Sequence, residues 1–166
     1  MTPEQIIRIL KLEPLPEEGG FYREIYRSTG SIPEKILGGL HQGERNYGTH
    51  IFYLITPEEF SALHRLPQDE LFHFYLGDPV EMFQIDPDGN ANSVIFGNDL
   101  TKNQTLFHRV KPNTWQGTRL LPGGKGALLG CTVIPGFDFR DFELQTRAQL
   151  VQSYPQHKEN IMRFTR

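Results

Sequence analysis

His64, Glu70 and His73 fall within one short stretch of the chain, and His50 lies one predicted strand earlier. These are the residue types that move protons. Histidine titrates near neutral pH. A buried carboxylate beside it orients the ring and stabilises the imidazolium, so a His64–Glu70 pair suits removal of a proton next to a carbonyl. Tyr47, Tyr53 and Tyr75 are the candidate acids, and sequence alone does not say which of them points inward. His50 is expected outward and half-exposed, and His41, in a glycine-rich loop, at the surface. Cys131, in the apolar run Ala127–Val133, is expected to be a buried, inert thiol.

The elements that must hold these residues are short strands. Phe60–Leu66 and Glu70–Leu76 are strand-like and are separated by the turn Pro67-Gln68-Asp69. An antiparallel hairpin there brings His64 and Glu70 together. Alternation puts Phe72 and Phe74 on the Glu70 face and His73 on the opposite one, unless a β-bulge at the turn reverses it. Further strands are predicted at Phe21–Ser28, Tyr47–Ile55, Val80–Ile85, Asn92–Phe96, Thr105–Val110, Thr114–Leu120, Ala127–Ile134 and Phe137–Leu144. In the first, Phe21, Arg23, Ile25 and Arg27 alternate with Tyr22, Glu24 and Tyr26. In the last, phenylalanines alternate with Asp138, Arg140, Asp141 and Glu143 as a charged face. Ser31–Asn46 is expected to be a long loop. Thr2, Pro3 and Gln5 form a capping-box start for one short helix, and Thr146–Arg166 reads as one or two more, broken near Tyr154-Pro155.

Composition agrees. The 166 residues hold 16 glycines and 12 prolines but only four alanines, which disfavours a helical bundle and favours strands and tight turns. One cysteine excludes an intramolecular disulfide framework. A net charge of −3 gives no support for nucleic-acid binding, and no apolar run approaches a membrane span. The N-terminus lacks the pattern of a secretory signal, so a cytoplasmic protein is expected. Some ten strands with frequent turns point to an antiparallel barrel or jelly roll in a single domain over residues 1–166.

The stretch from His64 to Gly77 resembles the first motif of the cupin superfamily, a His-x-His followed by Glu and then Gly. His64, Glu70 and Gly77 match, and Leu66 stands where the second His is usual. Val110-Lys-Pro112-Asn113-Thr-Trp115-Gln116 is similar to the second motif, with Asn113 in a glycine position and Gln116 in a histidine position. Leu12–Ser28, His73–Pro79 and Gly130–Leu144 extend the likeness to a branch of cupins labelled as predicted sugar epimerases. The resemblance implies an all-β cupin double-stranded β-helix, a jelly-roll barrel with short N- and C-terminal helices.

It also implies a small polar, sugar-like metabolite inside the barrel, with His64 and Glu70 catalytic and Phe72, His73 and Gln116 against the ligand. The deoxysugar epimerases of this fold use a His base, a carboxylate partner and a tyrosine acid. A metal is not expected, because Leu66 cannot ligate and Gln116 is a weak ligand. A divalent metal at His64 and Glu70, in an isomerase or dioxygenase, is the lesser alternative, and a non-catalytic binding protein is another. A homodimer is expected, with the strand near Phe21–Tyr26 adding to a neighbour's sheet.

Overall fold

The computed structural model describes residues 1–166 and contains thirteen strands, β1 to β13 in chain order. One sheet has the order β1 (Glu13–Pro14), β2 (Phe21–Arg27), β5 (Thr49–Ile55), β12 (Ala127–Ile134), β7 (Asp69–Gly77) and β10 (Phe107–Val110). The second has β13 (Glu143–Leu144), β6 (Ser61–Arg65), β11 (Trp115–Leu120), β8 (Val80–Ile85) and β9 (Ala91–Phe96). All strand pairs in both sheets are antiparallel. The two sheets form the expected cupin jelly roll. A third ladder, β3 (Ser31–Ile32) with β4 (Arg45–Asn46), pins the ends of the 33–44 loop.

Alternation builds the core. Phe72 and Phe74 of β7, Leu129 and Cys131 of β12, and Val80 and Met82 of β8 pack between the sheets. The outer faces are covered at opposite ends. Helix α1 (Pro3–Leu10), with its capping box, sets Ile6 against Leu54 and Leu128. Helices α2 (Arg147–Ser153) and α3 (Lys158–Arg163) bring Leu150 and Ile161, followed by Phe164, onto Leu63, Phe83, Ile85 and Trp115. Trp115 therefore lies on the face opposite Gln116, fully buried beneath this chain's own helices.

Several expectations need correction. β6 and β7 do not pair with each other; they belong to different sheets, so the turn at Leu66–Gln68 is an arch between layers and not a hairpin. Residues 137–144 do not form one strand. A 3-10 turn at Phe139–Asp141 precedes the two-residue β13. In β2 the pairing with β5 slips between Glu24 and Tyr26, leaving Ile25 as an extra residue. That bulge turns Arg27 onto the same face as Tyr22 and Glu24, which strict alternation denied it.

His41 is not a surface residue. It is 5% exposed and its ring nitrogen Nδ1 lies 3.0 Å from Asp141. Arg45 donates two 2.7 Å hydrogen bonds to the same carboxylate, and Gln68 adds a fourth contact at 3.3 Å. This cluster ties the 33–44 loop to the 138–142 turn. Burial raises the Asp141 pKa, and hydrogen bonds from Arg45 and His41 more than reverse that, leaving it below the usual range. No helix is long and apolar enough to cross a membrane.

Candidate active site

A cavity of about 470 Å³ opens between the sheets, a volume suited to a small metabolite. His64, Glu70, Phe72 and Cys131 line it, together with Glu18, Tyr22, Tyr53 and, towards the rim, Glu24, Arg27, Phe137, Asp138 and Phe139.

His64 is positioned by a bulge in β6. Gln116 pairs with His64 and Thr118 with Ser61, so Ala62 and Leu63 together oppose the single residue Gly117. A Cβ on Gly117 would stand 3.0 Å from the Ser61 carbonyl and 3.1 Å from the Leu63 nitrogen, so a side chain here would crowd the bulge. The Ala62 carbonyl accepts a 2.8 Å hydrogen bond from His64 Nδ1. In the neutral ring this leaves a lone pair on Nε2. Gln116 Nε2 donates to that lone pair at 2.6 Å and to Glu70 Oε2 at 3.2 Å. His64 and Glu70 are therefore joined through Gln116, across the gap between sheets. Gln116 is wholly buried behind them, its Oε1 has no partner, and it does not line the cavity.

Glu70 receives only neutral donors: the Gln116 amide and, weakly at 3.7 Å, the Cys131 thiol. Burial pushes its pKa from 4.5 up to about 7, against the pull of His64. Burial likewise pushes the Cys131 thiol and the Tyr53 hydroxyl well above their ordinary values.

The carboxylate that faces His64 directly is Glu18, a residue absent from the sequence expectations. Its Oε2 lies 3.7 Å from His64 Nε2. Its Oε1 accepts hydrogen bonds of 2.7 Å from both Tyr53 and Ser61. A tight turn delivers it: Glu17, Gly19 and Gly20 all have positive φ, and a Cβ at Gly20 would stand 2.7 Å from the Tyr53 ring. The Glu18 carbonyl is held by Ala62 N at 2.9 Å and Arg166 Nη1 at 2.8 Å. The pair Gly19-Gly20 after an acidic residue was the available signal, but it carries no periodicity and marks only a turn.

Of the three tyrosines, Tyr53 points into the cavity, whereas Tyr75 and Tyr47 are exposed. His73 lies on the outer face of its sheet and does not line the cavity, contrary to the ligand-binding expectation. The slip in the β7–β12 register falls past Phe74, so alternation runs unbroken from Glu70 to His73. There it stacks on Tyr75, near His50, whose ring bonds Thr132 at 2.6 Å and Tyr75 at 2.8 Å. Asn113 adopts the left-handed conformation, φ 61°, that its glycine-like motif position requires.

The cupin metal positions do not fit a cation here. Leu66 is buried in the apolar core, and the Gln116 amide nitrogen is bonded to both His64 and Glu70, filling the space between them with a donor. No three His, Cys, Asp or Glu side chains converge as a metal-holding group.

The family model described as cupin superfamily (DUF985) matches residues 4–145. Among solved structures, a hypothetical protein from Leishmania major is 33% identical, with a TM-score of 0.90 and 99% of each chain covered. A protein from Shewanella oneidensis is 31% identical with a TM-score of 0.89, covering 100% of this chain and 98% of its own. An uncharacterised protein of Saccharomyces cerevisiae is 29% identical over an alignment of 132 residues that covers 75% of this chain and 66% of that protein, just under two thirds of its length.

Proposed function

This chain belongs to the cupin superfamily family DUF985, and from that premise we propose that its barrel binds a small polar metabolite and catalyses proton transfer at a carbon next to a carbonyl. That is the elementary step of an epimerase or isomerase. One observation carries the reading. Glu18 Oε2 and His64 Nε2 are two proton acceptors 3.7 Å apart on one enclosed wall, with a carboxyl of pKa about 7 behind them.

Glu18 is the proposed base. Its Oε1 is occupied by Tyr53 and Ser61, so Oε2 is the oxygen free to take the substrate proton. His64 Nε2 relays that proton. To do so it exchanges the Gln116 N–H for the Gln116 Oε1, which is unpartnered in the present orientation and accepts from an imidazolium. The turned amide then sets Oε1 beside Glu70, which favours Glu70 in its protonated form. The relay thus couples His64 to Glu70, whose pKa burial lifts to about 7. Phe72 and Tyr22 supply apolar wall on which a ligand ring rests. A homodimer is part of the proposal: β1 covers β2 only at Phe21 and Tyr22, so the edge from Arg23 onward is open to a second copy.

The test is solvent deuterium incorporation into keto-sugars and related hydroxycarbonyl compounds incubated with the protein, read by NMR. Exchange is expected with the wild type and is expected to fall at least a hundredfold in Glu18→Gln and in His64→Gln, both checked for native fold. Binding without exchange, or exchange that survives both substitutions, removes the catalytic part and leaves a binding protein.

A further inference from the structure

The charges on the cavity wall do not suit a phosphorylated sugar. Three carboxylates, Glu18, Glu24 and Asp138, and the largely neutral carboxyl of Glu70 line the cavity, against a single guanidinium, Arg27. Arg27 has no donor to spare. Its Nε and Nη2 bond Glu24 at 2.9 and 2.7 Å, its Nη1 bonds Asn46 at 2.8 Å, and both Nη atoms reach the Phe137 carbonyl at 3.2 Å. Those contacts use all five N–H groups of the side chain. At the rim, Asp138 is held well below the usual carboxylate range by Arg140 and stays ionised.

The deep wall offers acceptors. Glu18 is 8% exposed, yet no hydrogen bond reaches its Oε2. That oxygen faces the cavity and is open to a donor carried by the ligand. A phosphate is itself an acceptor and an anion, so it would add repulsion there. An ammonium group brings three donors and the opposite charge. The aromatic walls agree: Tyr22, Phe72, Phe137 and Phe139 line the same space, and Phe137 and Phe139 meet edge to face at 5.0 Å. Ring faces attract cations.

We infer that the ligand of this cavity is a small amine that is positively charged and carries no phosphate. The inference rests on the cavity being a metabolite site, as proposed above, and adds the ligand's charge class.

Calorimetric titration at pH 6.5 tests it with five probes: the ammonium compounds glucosamine, choline and agmatine, and the comparison compounds glucose and glucose 6-phosphate. At least one ammonium probe is expected to bind tenfold or more tightly than glucose, with glucose 6-phosphate weakest. Glu18→Gln is expected to weaken the ammonium probe at least tenfold and to weaken glucose by a smaller factor. Glu24→Gln, on the more exposed rim, releases Arg27 and is expected to narrow the gap between glucosamine and glucose 6-phosphate. Tightest binding by glucose 6-phosphate or by glucose overturns the amine inference and leaves the metabolite site standing. No binding by any of the five counts against both.

Discussion

Glu70 and Asp141 are both buried carboxyl groups, and the protein treats them in opposite ways. Asp141 is surrounded by charge: a two-pronged bond from Arg45, a histidine ring at 3.0 Å and an amide from Gln68. Its pKa is driven down and its role is to clasp two loops. Glu70 has an amide and a thiol for partners, and its nearest histidine is reached only through Gln116. Its pKa rises to about 7. Burial is common to both. The character of the donors decides whether a buried acid is fixed as an anion or left able to exchange a proton.

Breaking the clasp carries the largest expected effect. Asp141→Asn leaves the buried Arg45 guanidinium without its anion, and stability is expected to fall by about 3–5 kcal/mol, measured by urea denaturation. A loss under about 1 kcal/mol would mean that the loop–turn contact is not held by charge.

Glu70→Gln is expected to act oppositely. A carboxyl whose folded pKa lies above its unfolded value makes the folded state bind more protons in between. The wild type should therefore lose stability as pH rises from 4.5 to about 7, by on the order of 3 kcal/mol from this group. Gln cannot ionise, and its oxygen still accepts from Gln116. The variant should match the wild type near pH 4.5 and exceed it above pH 7. Parallel stability curves for the two proteins would remove the raised pKa. Asp141 contributes in the reverse sense, stabilising above the ordinary Asp range and losing that contribution as pH falls.

The smallest effect is expected on the outer face, where solvent competes. Tyr75→Phe removes the hydroxyl that bonds His50 at 2.8 Å on a side chain that is 44% exposed, and should cost less than about 1 kcal/mol in thermal denaturation. A larger loss would show the His50–Tyr75 pair to be as structural as the Asp141 clasp.

The contrast also explains what the sequence made legible. The long strands, the helix cap at Thr2 and the break at Tyr154-Pro155 rest on local chemistry and are readable, whereas the strand expected at residues 137–144 is not there. Also readable are Phe72 facing inward and His73 facing outward, because alternation is unbroken between them. Arg27 was assigned to the wrong face because the bulge at Ile25 shifts the period by one. Glu18 and the His41–Asp141 contact escaped because their partners lie 46 and 100 residues away, at His64 and Asp141, and no spacing rule spans a loop that folds back. The hairpin expectation failed for a related reason: a tight turn does not reveal whether its two strands pair or part into different sheets.

Arg166 donates to the Glu18 carbonyl across 148 residues and to the Phe60 carbonyl beside it. The turn that aims Glu18 is thus secured by a residue that leaves the ribosome long after Glu18 itself. Synthesis proceeds from the N-terminus, so a nascent chain can pair β2 with β5 while the cavity wall at Glu18 is still open. The barrel can assemble strand by strand, but the final setting of Glu18 waits for Arg166.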